Sequence, residues 1–154
     1  MVSTSLASDN KAAFRRLIVD GFQAGDPAVV DELVSAALVE HQFGLAGSGA
    51  QAIKNLKQAV VDVHALMPDV RYSVDSMVAD GDTVWTRMTA RGTDSEGAFG
   101  HPATGRRIEI AVIDVARFDN GRLVEHWGVP DRFALLAQLG LLAGLVGRRD
   151  QAEG

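Results

Sequence analysis

The stretch EHWGVPDRFALLAQLG, residues 125–140, sets a carboxylate, an imidazole and an indole just before a glycine-to-proline break and a further carboxylate. Glu125, His126 and Trp127 end a segment that reads as a strand, Gly128 to Pro130 interrupt it, and Asp131 stands where a helix begins. Two chemistries fit Asp131. Ahead of a helical run it is a natural N-cap, worth about 1 kcal/mol over alanine. At the open end of a sheet, beside Trp127, Val129 and Phe133, it is also placed to act as a general base whose pKa is raised by apolar neighbours.

Asp114 lies mid-strand between Ile113 and Val115, where an ionised carboxylate is costly to bury without a partner. The hairpin signal DNG at 119–121 supplies two registers. With Gly121 in a bulge, Asp114 faces His126; with a two-residue Asn-Gly turn it faces Trp127. Paired with His126, each group favours the charged form of the other. A structural ion pair or an outward-facing aspartate fits the same pattern. His41, beside Phe43 at the start of a glycine-rich loop (41–50), fits a pocket mouth or a solvated position, while His64 reads as surface and His101 is undecided. Trp85 and Tyr72 are strand aromatics, a class more often found in a core than against a ligand.

No two of the four histidines have zinc-site spacing, and the chain has no cysteine, so no metal site, thiol nucleophile or disulfide is expected. Glycines 44, 47 and 49 follow no strand and do not form a dinucleotide fingerprint, and no serine sits in a nucleophile elbow. No cofactor is indicated.

The elements that must hold these residues are readable from periodicity. Ser8 or Asp9 caps a first helix carrying Phe14, Leu17, Ile18, Gly21 and Phe22 on one face. Pro27 starts a second helix through AVVDELVSAAL, and a third carries Ile53, Leu56, Val60, Val63 and Met67 until Pro68 stops it. Strands then follow at about 70–78, 84–91, 107–118 and 123–127. Between Phe133 and Val146 only Gln138 is polar, which predicts a helix buried on several sides and suggests a homodimer. Helices, then strands, then a helix is an α+β order.

A chain of 154 residues suits one domain, here taken as 10–146 with flexible ends at 1–9 and 147–154. The net charge of -5 argues against nucleic acid as a partner, and the absence of any Lys/Arg run longer than two argues against a polybasic membrane anchor. The N-terminus lacks the pattern of a secretory signal, and the 14-residue apolar stretch is shorter than the roughly 20 residues of a membrane span, so a cytoplasmic location is expected.

Read in order, DELV before His41, MPD at 67–69, ADGDTV at 79–84, GHPATGRR at 100–107, IDVARFDNGRLVEHWGVPD at 113–131 and LLAQLG at 135–140 resemble the SnoaL-like polyketide cyclases of the nuclear transport factor 2-like superfamily. The resemblance implies a cone-shaped, strongly curved mixed sheet wrapped over N-terminal helices, with a C-terminal helix, an internal pocket and usually a dimer. It also implies a cofactor-free enzyme in which an aspartate at the position of Asp131 is the acid/base for intramolecular aldol ring closure, a reaction of carbon–carbon lyase or isomerase type. On this reading His126 and Asp114 assist Asp131, His41, Phe43, Trp85 and Trp127 line the pocket, and the substrate is a small or medium hydrophobic carbonyl compound with an acidic C–H. Binding of an apolar ligand without catalysis, or hydrolysis, isomerisation or dehydration in the same pocket, are the alternatives the same cone allows. The arginine and two aspartates of the related epoxide hydrolases are not found: Arg117 and Asp114 fall on opposite strand faces, and position 128 is Gly.

Overall fold

The computed structural model describes residues 2–142. Helix α1 spans Val2–Arg16 and continues as a π-helical segment, Leu17–Gln23; α2 is Ala28–Leu33 and α3 is Gly49–Leu66. Ser8 and Asp9, expected as caps, therefore lie inside α1, which already begins at Val2. The expected second helix is shorter than its sequence pattern, because Val34–Glu40 leaves it to form strand β1. In VSAALVE the alternation of apolar and small residues serves either period, and pairing with the sheet decides it.

The strands β1, β2 (Gly47–Ser48), β3 (Arg71–Asp80), β4 (Thr83–Thr93), β5 (Arg107–Asp119) and β6 (Arg122–Pro130) form a curved open sheet in the order β2-β1-β6-β5-β4-β3. Only β1 against β6 is parallel, so the sheet is mixed and the architecture is α+β as expected. Its inner face packs on α1, the π-helical segment and α3. Phe14, Leu17, Ile18, Leu38, Leu56, Val60, Val84, Met88 and Phe118 are the centre of the main core. Each such side chain contributes roughly 1.5–3 kcal/mol of burial free energy. A second apolar cluster, with Met67, Val70, Ile108, Ile110, Leu135 and Leu139, closes the other end.

Helix α4 is Arg132–Gln138, so the long apolar helix expected to Val146 ends earlier, and residues 143–146 lie outside the described residues. Phe133 is exposed rather than buried, whereas Leu135 and Leu139 dock on the sheet. Gln138, the one polar residue of that stretch, behaves as a strand edge. Its Oε1 accepts from Glu109 N and its Nε2 donates to Glu109 O, both at 2.8 Å. This satisfies backbone groups of β5 beyond the end of β6, which pairs only as far as Val112.

Candidate active site

The β5–β6 hairpin turns through Asn120 and Gly121, both with positive φ, so Asp119 pairs with Arg122 as a two-residue turn requires. The register then slips between Phe118 and Arg117: Phe118 pairs with Leu123, but Arg117 pairs with Glu125. Val124 is the extra residue of a β-bulge, and Asp114 consequently pairs with Gly128, opposite neither His126 nor Trp127. The slip changes which side chains face inward. Leu123 and His126 both point into the core, while Glu125 and Trp127 point out. Asp114 and His126 thus share the inner face as diagonal neighbours.

His126 also pairs with Glu40 across the parallel β1–β6 contact. Its Nδ1 donates to both Glu40 oxygens at 2.9 and 2.8 Å, and its Nε2 approaches Asp114 Oδ1 at 3.5 Å. Burial disfavours an imidazolium here, but the hydrogen bonds and charges of Asp114 and Glu40 outweigh it and raise the His126 pKa to about 10. The His126 imidazolium is thus held between the side chains of Glu40 and Asp114. Glu40 is fully buried and Asp114 keeps a small opening. Glu40 is hidden in the sequence because VSAALVE reads equally well as the end of a helix. The available signal was the absence of any glycine or asparagine C-cap before His41.

Asp114 and His126 border a cavity of about 580 Å³ between the sheet and the helices. That volume suits a ligand of drug-like size. Its wall is mainly apolar, with Phe14, Leu17, Ile18, Phe22, Leu56 and Met88 among the lining residues, and it carries few polar groups: Gln42, Tyr72, Asp114, His126 and, toward the rim, Asp62, Glu96 and Arg132. Burial raises the Tyr72 pKa, and the nearby Asp114 charge adds to the effect. Among the described residues no group of three or more His, Asp or Glu has the arrangement of a metal site.

The expected site residues separate. Asp114 and His126 meet at the cavity. Asp131 is exposed and is not part of the cavity wall. Its Oδ1 accepts from Ala134 N at 2.9 Å, the geometry of an N-cap on α4. None of His41, Phe43, Trp85 and Trp127 lines the cavity. Along β1 and its extension Leu38 and Glu40 point in and Gln42 reaches the cavity, so His41 and Phe43 face outward and Phe43 is 83 % exposed. His41 stacks on Trp127 at 4.6 Å and bonds Glu125 at 2.9 Å, and Glu125 is held by Arg117 from the far side. Trp85 is half-exposed on the same outer face. Gln42, not expected from the sequence, takes the inner position that His41 and Phe43 leave.

A loop from Asp94 to Gly105 contributes Glu96, Gly97, Ala98 and Phe99 to the cavity. Asp94 is buried and accepts from Gly97 N, Thr104 N and Thr104 Oγ1 at 3.0, 2.8 and 2.7 Å. Desolvation opposes its charge, but these bonds prevail and lower its pKa.

Comparison with known proteins agrees with this architecture. The structure is similar to IdmH from Streptomyces antibioticus, a proposed polyketide cyclase, at 32% identity and TM-score 0.73 over 85% of this chain and 98% of that one. It is similar to AclR from Streptomyces galilaeus, a proposed hydroxylase, at 26% identity and TM-score 0.75 over 88% and 83%. TsrD from Streptomyces laurentii matches at 26% identity and TM-score 0.72 over 84% and 96%. No curated protein matches the sequence. A family model described as SnoaL-like polyketide cyclase matches residues 12–139, and the chain belongs to that family.

Proposed function

We propose that this protein is a cofactor-free acid/base catalyst acting on a small or medium hydrophobic carbonyl compound, with intramolecular aldol ring closure as its reaction. One observation carries this reading: a carboxyl group, Asp114, opens from a buried ion cluster onto a mainly apolar cavity. Asp114 takes a proton from a carbon next to a carbonyl, and the electron pair moves onto the carbonyl oxygen as an enolate. The enolate carbon then attacks a second carbonyl of the same molecule, forming the ring bond, and the resulting alkoxide recovers the proton from Asp114. His126 stays protonated throughout. It orients Asp114, while Glu40 fixes the imidazole ring.

Asp131 is assigned the helix cap. The test is α-proton exchange of 2-tetralone in deuterated water, followed by proton NMR, with Asp114→Asn and Asp131→Ala. We expect Asp114→Asn to abolish exchange and Asp131→Ala to retain it. The reverse result would return the acid/base role to Asp131. Tight binding of 2-tetralone with no exchange by the native protein would favour an apolar-ligand carrier, a reading supported by the largely apolar wall.

The proposed homodimer is better supported by the outer sheet face than by the C-terminal helix. Strand register aligns Val78, Trp85, Val115 and Trp127 in one row and Ile113 with Val129 in the next. Val78, Trp85, Ile113, Trp127 and Val129 all remain exposed. Arg87, Arg91 and Arg117 on this face are each paired to Asp75, Glu109 or Glu125. Such a face can meet its own copy without like-charge repulsion.

A further inference from the structure

Gln42 and the missing side chain at position 128 belong to one arrangement. A Cβ placed on Gly128 would collide with Gln42 Oε1, lie 2.9 Å from Gln42 Cδ and sit 3.0 Å from Asp114 Oδ1. Gly128 has no positive φ, so glycine supplies space here rather than backbone freedom. The Gln42 carboxamide occupies that space next to the Asp114 carboxylate and borders the cavity.

The backbone of Gln42 is fixed at both ends. Its N–H donates to Glu40 Oε1 at 2.8 Å, and its carbonyl accepts from Leu45 N at 2.9 Å. Among the described residues its side chain makes no hydrogen bond, which leaves the carboxamide available to a ligand. The neighbouring cations are engaged. His126 is held by Glu40 and Asp114, and Arg132 donates to Phe43 O at 2.7 Å with its guanidinium over the Phe43 ring.

We propose that Gln42 binds the carbonyl oxygen of the substrate beside Asp114, and that residue 128 is glycine because any side chain there would expel this carboxamide. The inference rests on the acid/base reading of Asp114. As Asp114 removes the C–H proton, negative charge grows on the carbonyl oxygen, and Gln42 Nε2–H donates to it. A fixed donor at that oxygen lowers the barrier most when the charge is largest.

The test uses two probes, 2-tetralone for proton exchange and 2-naphthol against naphthalene for binding of an enol-like hydroxyl, with thermal melts confirming that each variant folds. Gln42→Ala should slow exchange by roughly 100-fold, the scale of losing one oxyanion donor. It should lower the preference for 2-naphthol over naphthalene by about tenfold. Gly128→Ala should slow exchange at least as much in the native background, and Gln42→Ala should add little further in the Gly128→Ala background, because the methyl has already displaced the carboxamide.

If Gln42→Ala leaves exchange and probe preference unchanged while Asp114→Asn still abolishes exchange, the inference falls and the acid/base reading stands. If no form exchanges but 2-naphthol preference still depends on Gln42 and Gly128, the acid/base reading falls and the recognition role stands. Loss of both readouts in Tyr72→Phe, with none in Gln42→Ala, would move the role to the Tyr72 phenol.

Discussion

At His126 two large effects oppose each other, and their balance sets the behaviour of the site. Removing an imidazolium from water is costly, yet contacts to Glu40 and Asp114 raise its pKa from 6.5 to about 10. A group whose pKa rises on folding binds its proton more tightly in the native state, so its contribution is complete below about pH 6.5 and is lost as pH climbs through about 10. Chemical denaturation midpoints should therefore fall as pH is raised from about 7 to about 10, and this alkaline loss should shrink in Glu40→Gln. Glu40→Gln should also destabilise the protein by roughly 3–5 kcal/mol, the cost of breaking a buried ion pair from one side. Asp131→Ala removes only a cap and should cost about 1 kcal/mol. Finding the larger loss at Asp131 would contradict this assignment.

At the scale of elements, one residue of register determines which side chains meet. Without the bulge at Val124, strict alternation from Leu123 would send Glu125 and Trp127 inward and His126 outward. In the Asp94–Gly105 loop the buried Asp94 carboxylate gathers three donors from Gly97 and Thr104. Asp94→Ala leaves those donors without their acceptor and should cost roughly 1–3 kcal/mol. Amide hydrogen exchange should speed up at Gly97 and Thr104 and stay slow in β4 and β5. Uniform acceleration across the sheet would show instead that the loop is not a separate opening unit.

For the whole molecule, the apolar row on the outer sheet face predicts association. Light scattering of the native protein at micromolar concentration should give a dimer mass, and Trp85→Glu should give a monomer that retains 2-tetralone exchange, since Trp85 does not border the cavity. A native monomer would remove this proposal. Among the described residues no helix is long and apolar enough to cross a membrane.

Local periodicity, turn chemistry and residues in a fixed order make the α+β order, the third helix, the turn at 119–121 and the family resemblance readable from the sequence, whereas the break expected at Gly128–Pro130 is absent, because these residues continue β6 and pair with Asp114, Ile113 and Val112. It also singled out Asp114 and His126, since a carboxylate and an imidazole amid strand residues need partners. Their partners come from pairing between segments distant in the chain. VSAALVE suits either helix or strand alone and becomes β1 by pairing with β6, which brings Glu40 beside His126 from 86 residues away. The bulge at Val124 and the parity of β1 then place Gln42 rather than His41 and Phe43 at the cavity. Such a one-residue shift leaves local composition nearly unchanged and reverses every side chain that follows, which is why long-range pairing alone could decide it.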